Sequence, residues 1–418
     1  MQLAARLRTL PTTPVIDSER LIAQQRAHGS DVISLASSVP DLPPPPHVVA
    51  ALIETPGGQA SAHQLGPARG QPALRAAIAR WHNRRYKVSL SPHSEVLPIN
   101  GTKEGLAYVA WLVTNPGDLV LVPDPGYRLY TTAAELAGAT VVTMPLLSQQ
   151  DFLPDLKAIP PDIARRARLM YLNYPNNPTG ATAPAQFYHE VVAFAKQYDI
   201  VVCQDMAFAG ITYDSSRVLS FLEIPGAMDV GIEFHSLSMT YNMSDYRVGI
   251  AVGNKQLVEA LANLKSVVGT PLPEAIQRAA LAALDGTPAD WFAQLNQKYA
   301  RRRDLTLATL DQLGLRARKP RTTPFVWAAV PPGQASLDFA TRMLTTTGVW
   351  VVPGVGFGSR GEGYIRVSLC VADERLDEAM RRIAAVPVAP AELPVDNQDD
   401  DSQHMGSVKE KQHGSLGA

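Results

Sequence analysis

Residues 171–180 read Tyr171-Leu172-Asn173-Tyr174-Pro175-Asn176-Asn177-Pro178-Thr179-Gly180, where an apolar run gives way to a polar turn. A continuous apolar run predicts a strand buried on both faces, and the Asn-Pro cluster predicts a turn. Similar β-branched runs recur along the chain with helical stretches between them. This alternation predicts an α/β fold whose large domain holds a mostly parallel sheet. The predicted strands are 119–122, 140–144, 169–172, 200–203, 232–234 and 248–252.

The helical stretches and the remaining apolar runs predict the domain organisation. We expect helices at 71–86, 103–113, 184–198, 274–284 and 291–313, and three further strands at 325–330, 349–352 and 364–369. The predicted order is an N-terminal segment (1–45) that joins the small domain, a large domain (46–287), a smaller α+β domain (288–387) and a disordered tail (388–418). Residues 404–407, within that tail, resemble a cloning scar.

Composition excludes several classes of function. The chain has 418 residues, with 38 Lys and Arg against 39 Asp and Glu, a formal charge of −1. This balance argues against a nucleic-acid or membrane-surface partner, and no apolar run is long enough to span a bilayer. Cys203 and Cys370 lie in apolar, strand-like runs, which favours buried thiols over a disulfide. We therefore expect a soluble, cytoplasmic protein without a metal site.

Five further segments carry polar or aromatic residues that suit the binding of an anionic, aromatic ligand. They are Asn100–Gly105, Asp124–Tyr127, Asp205 after a strand, His235–Gly249, and Arg366 within Gly363–Leu369. Glycine and a hydroxyl residue at a helix start present free N–H groups to an anion. Taken singly, these residues also fit ordinary roles as helix caps, turn residues or salt-bridge partners. Their order and spacing, together with residues 171–180, resemble the class I (fold-type I) pyridoxal-phosphate-dependent aminotransferases, especially the aspartate and LL-diaminopimelate groups.

The resemblance implies a role for each matching residue. Tyr127 would stack on the cofactor ring, Asn177 would bond its 3′-oxygen, and Asp205 would pair with its ring nitrogen. Arg366 would hold the substrate carboxylate, with Asn177 and Ser38 beside it. The expected catalytic positions are Asp205, Tyr127 and 239, and the further expected cofactor contacts are Gly101, Thr102, Lys103, Phe208, Ser236, Ser238 and Arg247.

Four positions depart from the family pattern. Met239 stands where the family has the lysine that forms an imine with the cofactor, and a thioether forms no imine and carries no proton. Phe208 replaces a usual tyrosine, and Leu65 replaces a tyrosine that commonly reaches the neighbouring subunit. Asp245 replaces a glycine and could compete with phosphate for Arg247. This combined loss of polar groups favours natural replacement over a single engineered change.

Three functional hypotheses remain. The first is an aminotransferase-family enzyme that acts on an amino acid or other carboxylate and binds pyridoxal or pyridoxamine phosphate, but forms no internal aldimine. The second is a biosynthetic enzyme that reuses the fold without the cofactor. The third is a catalytically inactive binding or regulatory homologue. The resemblance also implies a homodimer.

Overall fold

The computed structural model describes residues 7, 14–54, 65–214 and 217–385. Predictions about the tail from residue 388, and about His63 and Gln64 beside Leu65, lie outside the described residues. The described helices are α1 Pro14–Ala27, α2 Pro46–Ile53, α3 Pro72–Tyr86, α4 Thr102–Val113, α5 Leu129–Leu136, α6 Pro161–Arg166, α7 Ala185–Tyr198, α8 Ala227–Val230, α9 Leu237–Thr240, α10 Lys255–Val268, α11 Glu274–Gly286, α12 Ala289–Gln312, α13 Ser336–Thr347 and α14 Asp373–Ala384. The described strands are β1 Ile33–Ser34, β2 Val96–Ile99, β3 Leu119–Asp124, β4 Thr140–Pro145, β5 Ala167–Asn173, β6 Val201–Asp205, β7 Gly231–Ser236, β8 Gly249–Gly253, β9 Phe325–Ala329, β10 Val349–Trp350, β11 Val352–Pro353 and β12 Tyr364–Ser368.

The central element is a seven-stranded sheet with the order β2-β8-β7-β6-β5-β3-β4. Strand β8 runs antiparallel to both of its neighbours, and the other pairings are parallel. The mostly parallel α/β sheet predicted from the apolar runs is therefore confirmed. Buried side chains cover both faces of this sheet, in one cluster with α3 and α7 and in another with α4, α5 and α10.

A second, smaller sheet has the order β11-β12-β9 and is antiparallel. Helices α12, α13 and α14 contribute to the core that it shares with the N-terminal residues Val32, Ile33 and Leu35. Strand β1 joins this region by pairing in parallel with β10. This core places β12, and with it Arg366, against the end of the large sheet.

The structure differs from the sequence-based expectation in three strand regions. The single strand expected at 349–352 is two short strands, because the chain leaves its pairing with β1 after Trp350 and joins β12 at Val352. Strands β1 and β2 were not predicted, since β1 has only two residues and the four residues of β2 include Pro98. Cys203 and Cys370 are buried free thiols, as expected. None of the helices in the described ranges is long and apolar enough to cross a membrane.

Candidate active site

The carboxyl ends of three adjacent strands bring the candidate residues together. Strand β5 ends at Asn173, β6 at Asp205 and β7 at Ser236, and Asn173 is the direct register partner of Asp205. Because neighbouring parallel strands end at one edge of the sheet, their last side chains face a common crevice. This edge therefore gathers residues that are far apart in sequence.

Asp205 is a buried carboxylate held by neutral donors. Its Oδ2 accepts a hydrogen bond from the Tyr130 hydroxyl at 2.8 Å, and its Oδ1 accepts one from the Ala207 N–H at 2.9 Å. Burial raises the pKa of the Asp205 carboxyl to about 6, although these two hydrogen bonds act to lower it. No ion pair to Asp205 forms within the part of the chain that the structure describes. The group therefore favours a cationic partner.

Asn173 connects the polar turn to Asp205. Its Oδ1 accepts from the Asn177 N–H at 2.7 Å, and its Nδ2 donates to the carbonyls of Asp205 at 2.9 Å and of Pro175 at 3.2 Å. Asn173 is buried, so each of these bonds forms away from competing water. The turn that carries Asn177 is thereby fixed relative to the end of β6.

Arg366 reaches this turn from the small sheet. Its Nη1 donates to Asn177 Oδ1 at 2.8 Å and its Nη2 to the Ala36 carbonyl at 2.7 Å. The guanidinium carbon lies 4.2 Å from the centre of the Phe325 ring and 5.0 Å from that of Phe357. Burial lowers the pKa of Arg366 to about 10, which leaves it charged at neutral pH. Its buried Nε has no hydrogen-bond partner among the described residues, so the fork retains capacity for a carboxylate.

A compact turn surrounds the guanidinium of Arg247. Gly101, at the N-cap of α4, has φ +80°, and a Cβ added there would lie 2.4 Å from Arg247 Nη2. A Cβ at Gly249 would lie 2.7 Å from the Thr102 nitrogen. Both positions therefore require glycine for the turn, β8 and Arg247 to approach so closely. The turn presents the amino end of α4 to the same region as Arg247.

Tyr127 is within electrostatic reach of both Asp205 and Arg247. Burial and, to a smaller extent, the negative charge of Asp205 raise the pKa of the Tyr127 phenol to about 12, and the positive charge of Arg247 opposes them. Its ring packs edge-to-face on Tyr130, with 5.7 Å between ring centres. Tyr127 therefore lies close enough to both charged residues to belong to the same site, and its role in stacking on a ring stays a prediction.

Met239 lies in an apolar cluster with Phe208, Phe325 and Ala207. The rings of Phe208 and Phe325 meet edge-to-face, with 5.0 Å between their centres. Since Phe325 also lies against Arg366, and Ala207 donates to Asp205, the thioether belongs to the same crevice as both charged residues. Position 239 is therefore inside the candidate site.

Comparison with known proteins identifies the family. The aminotransferase class I and II family model matches residues 30–383. The LL-diaminopimelate aminotransferase of Desulforudis audaxviator is 47% identical over 383 residues, covering 91% of this chain and 96% of the relative. That of Dehalococcoides mccartyi strain 195 is 44% identical over 384 residues, covering 92% and 98%. The chain belongs to the class I and II aminotransferase family.

Solved structures agree with this assignment. Substrate-bound BacF of Bacillus subtilis superposes with a TM-score of 0.87 at 36% identity, covering 92% of this chain and 98% of that one. A single mutant of Thermus thermophilus aspartate aminotransferase gives 0.85 at 28% identity, covering 92% and 99%. The fold is the fold-type I architecture of pyridoxal-phosphate aminotransferases.

The residues of this aminotransferase-family chain fit the family cofactor, pyridoxal 5′-phosphate. Asp205 is a buried carboxylate suited to a protonated ring nitrogen, and the Gly101 turn with Arg247 suits a phosphate. Ser238 Oγ is buried with no hydrogen-bond partner among the described residues, so it is available to a ligand oxygen. Ser236 is also buried, whereas Lys103 is exposed at the start of α4.

Two expected site residues, Ser38 and Arg247, and the departing residue Leu65 have surroundings that sequence alone did not indicate. The Ala36 carbonyl contacts Arg366, while Ser38 lies half-buried two residues further along the chain. Leu65 is 83% exposed. Arg247 donates to the Ser244 carbonyl at 3.1 Å, and within the described residues it forms no ion pair with Asp245.

Sequence reasoning gave no role to Tyr130, Asn173 or Phe325. Asn173 lies in the ten-residue stretch that carries the resemblance, and Tyr130 lies three residues after Tyr127, so their positions held a usable signal. The contact of Phe325 with Arg366 depends on the pairing of β9 with β12, which no local pattern indicates.

A buried cluster of His82, Glu233 and His235 lies outside this site. Glu233 accepts from His235 Nε2 at 2.7 Å, and His82 Nε2 lies 3.3 Å from the same oxygen. Ser220 Oγ and the Phe221 N–H also donate to Glu233. These nitrogen–oxygen distances are those of direct hydrogen bonds, so the cluster is a buried hydrogen-bond network. The expectation that the protein holds no metal stays a prediction.

Proposed function

We propose that this chain binds pyridoxal or pyridoxamine 5′-phosphate without a covalent link and presents it to an amino-acid or 2-oxo-acid carboxylate. The observation that carries the proposal is the location of Met239. Its thioether packs with Phe208 and Phe325 inside a crevice that retains Asp205 and Arg366. The charged groups that recognise cofactor and substrate are present, and the amine is absent from position 239.

Each retained residue has a distinct binding task. Arg247, Thr102, Ser236 and Ser238 would hold the phosphate, and Asp205 would face the ring nitrogen. When bound, the cofactor supplies an electron sink for negative charge at the substrate α-carbon. Asn177 and Arg366 form one hydrogen-bonded unit, so a carboxylate at Arg366 would be oriented by the same turn that contacts the cofactor.

Ordinary amino transfer should be severely slowed. A proton must move between two carbons, and a thioether neither accepts nor donates one. A positioned acid–base group contributes about 10²- to 10⁴-fold to a rate. Five lysines among the described residues have hydrogen-bond or ion-pair partners elsewhere: Lys87 with the Arg84 carbonyl, Lys196 with Asp229, Lys265 with the Thr270 carbonyl, Lys298 with Asp373 and Lys319 with Asp304.

The relatives suggest the substrate class. The proteins at 44% and 47% identity are named LL-diaminopimelate aminotransferases, which supports an amino acid that carries an α-carboxylate as the ligand. Arg366 supplies recognition of that carboxylate. LL-diaminopimelate and its 2-oxo analogue are the first ligands to test.

A homodimer also belongs to the proposal. The family resemblance implies it, and several large apolar side chains are exposed in the single chain. They include Ile53 at 75%, Leu65 at 83% and Val267 at 82%. A second copy would remove such surface from water. Sedimentation at micromolar concentration tests this, and a monomer at every concentration would contradict it.

Equilibrium titration tests cofactor binding directly. Purified protein is dialysed against cofactor-free buffer and titrated with pyridoxal phosphate and pyridoxamine phosphate, with the change in cofactor absorbance or fluorescence as the readout. We expect reversible binding that dialysis removes. Arg247→Gln should weaken it about 10-fold or more, as expected for the loss of a charged hydrogen-bond donor. Arg165→Gln, at an exposed arginine of α6 beside the amino end of β5 and so at the opposite edge of the sheet, is the matched control.

A cofactor-independent enzyme is the second candidate. The apolar contact of Met239 with Phe208 and Phe325 favours it, because these side chains offer a cofactor no hydrogen bond. Absence of binding at millimolar concentrations of either cofactor form would contradict the first proposal and support this one. Cofactor binding without any turnover, even over hours, would instead support an inactive binding homologue.

A further inference from the structure

The hydrogen bond between Tyr130 and Asp205 links a buried helix residue to the carboxylate of the candidate site. The Tyr130 hydroxyl donates to Asp205 Oδ2 at 2.8 Å, and its side chain is fully buried on α5. The other carboxylate oxygen is occupied by the Ala207 N–H. Asp205 thus has one side-chain donor and one backbone donor.

Among the residues that the structure describes, none places a positive charge close enough to Asp205 to replace this donor. The titratable groups within its electrostatic reach are Tyr127, Tyr130 and Cys203, and each is neutral in its protonated form. Burial raises the pKa of Asp205 and therefore favours the neutral acid; the hydrogen bond from Tyr130 is the largest opposing influence, followed by that from Ala207. Hydrogen bonds to the charged form are therefore what keep the group ionised near neutral pH.

Packing fixes where the Tyr130 hydroxyl points. Its ring stacks on Tyr171 with 4.8 Å between ring centres and an interplanar angle of 17°. The ring of Tyr127 closes a second side, edge-to-face. Burial raises the pKa of the Tyr130 phenol well above its usual value, so the hydroxyl stays a donor across the working range of pH.

We propose that Tyr130 is a positioning residue that keeps Asp205 ionised and aimed at the cationic ring nitrogen of a bound pyridoxal-type cofactor. The part that concerns the cofactor rests on the proposed function. Tyr130 does not touch the cofactor in this scheme, because it acts through Asp205. Its removal should therefore change the pH dependence of cofactor affinity rather than abolish binding.

The alternative is that Tyr130 only fills space in the core. Tyr171 offers a matched comparison, since it is as fully buried as Tyr130 and its ring stacks on the Tyr130 ring. Its hydroxyl donates to the Leu106 carbonyl at 2.7 Å rather than to a carboxylate. Tyr171→Phe and Tyr130→Phe therefore each remove one buried hydroxyl and keep the ring, but only Tyr130→Phe changes a donor to Asp205.

The first readout uses the cofactor-free protein. With ¹³C-labelled aspartate, the carboxyl resonance of Asp205 is identified by its loss in Asp205→Asn and followed from pH 4 to pH 9. We expect Tyr130→Phe to raise the pKa of Asp205 by about one unit, the effect of losing one hydrogen bond to the charged form. Tyr171→Phe should leave it within a few tenths of a unit of the unsubstituted protein.

The second readout is the affinity for pyridoxal phosphate as a function of pH. As pH is lowered, Asp205 becomes protonated and the affinity for the cofactor should fall. In Tyr130→Phe this fall should begin about one pH unit higher than in the unsubstituted protein. At pH 8.5, where Asp205 is ionised in both proteins, the two affinities should be similar. An unchanged pKa of Asp205 in Tyr130→Phe, or an equal shift in Tyr171→Phe, would overturn the inference. If the unsubstituted protein binds no cofactor but the pKa shift appears, the proposed function fails while the control of Asp205 by Tyr130 stands.

Discussion

The role proposed for Asp205, which is to bind a cation as a carboxylate, conflicts with its burial. A carboxyl whose pKa is raised in the folded state makes the fold less stable as pH rises from its unfolded-state pKa toward its folded-state pKa, because the unfolded chain releases the proton more readily. The contribution of Asp205 to stability is thus complete below about pH 4 and is lost as pH rises through about 6. A cationic ligand reverses this cost. The ionised Asp205 carboxylate would therefore be favourable only when a cationic ligand is bound beside it.

Asp205→Asn tests this conflict at the residue scale. The substitution removes the titration, so the stability of Asp205→Asn relative to the unsubstituted, cofactor-free protein should increase between pH 4 and pH 7.5. Urea unfolding across that range measures it. The full effect is on the order of 3 kcal/mol, from two pKa units at about 1.4 kcal/mol each. A difference that does not change with pH would show that Asp205 titrates alike in both states.

Arg366 is the second residue whose substitution tests the proposed function. Its guanidinium is buried and bonded to Asn177, so a lysine would keep charge but lose the planar fork. Arg366→Lys should weaken the binding of a 2-oxo dicarboxylate to the cofactor-loaded protein about 10-fold or more, as measured by calorimetry. Cofactor affinity itself should change little. Arg360→Lys, at an exposed arginine, is the control.

At the scale of elements, one asparagine connects two strands and a turn by hydrogen bonds. Asn173 ends β5, bonds the backbone of Asp205 at the end of β6 and holds the Asn177 turn. Asn173→Ala leaves these backbone groups without their partner. We expect a loss of about 2 kcal/mol in unfolding free energy and a clear fall in cofactor affinity.

The control for this prediction is another asparagine with a structural task. Asn254 caps α10 by accepting from the Gln256 and Leu257 N–H groups. Asn254→Ala should lose about 1 kcal/mol of stability and leave cofactor affinity unchanged. Equal losses of affinity in the two variants would show that Asn173 has no specific role at the site.

The elements also show what sequence can and cannot predict. The apolar run 200–203 predicts a buried strand because both of its faces are apolar, and the structure has a strand there, Val201–Asp205. Contacts between residues that are far apart in the sequence cannot be predicted from the local pattern of residues. Arg366 meets Asn177, which is 189 positions away, only because β12 is placed by the small sheet. The residue types of the site could be predicted, but not the contacts among them.

At the scale of the whole molecule, the His82–Glu233–His235 network connects α3 to β7. Burial alone would raise the pKa of Glu233, but the charge and hydrogen bonds of His235 and His82 lower it to about 2. A lowered carboxyl pKa contributes stability above about pH 4.3, and this contribution is lost as pH falls toward 2. The network should therefore govern part of the sensitivity to acid.

Glu233→Gln measures that contribution. The variant should be about 3 kcal/mol less stable than the unsubstituted protein at pH 7, and the difference should narrow as pH falls from 4.5 to 3. Urea unfolding at several pH values gives both numbers. Glu374→Gln, at an exposed position of α14, should show neither effect. A difference that stays constant with pH would mean that the charge of Glu233 contributes nothing to stability.

Borohydride reduction with peptide mass spectrometry tests the central claim, which is cofactor binding without a covalent link. The protein is mixed with one equivalent of pyridoxal phosphate, reduced and digested. The unsubstituted chain should carry no pyridoxyl adduct at any position, Met239→Lys should carry one at the substituted residue, and Met239→Leu should resemble the unsubstituted chain. A stoichiometric adduct on another lysine of the unsubstituted chain, such as Lys103 or Lys265, would contradict the account.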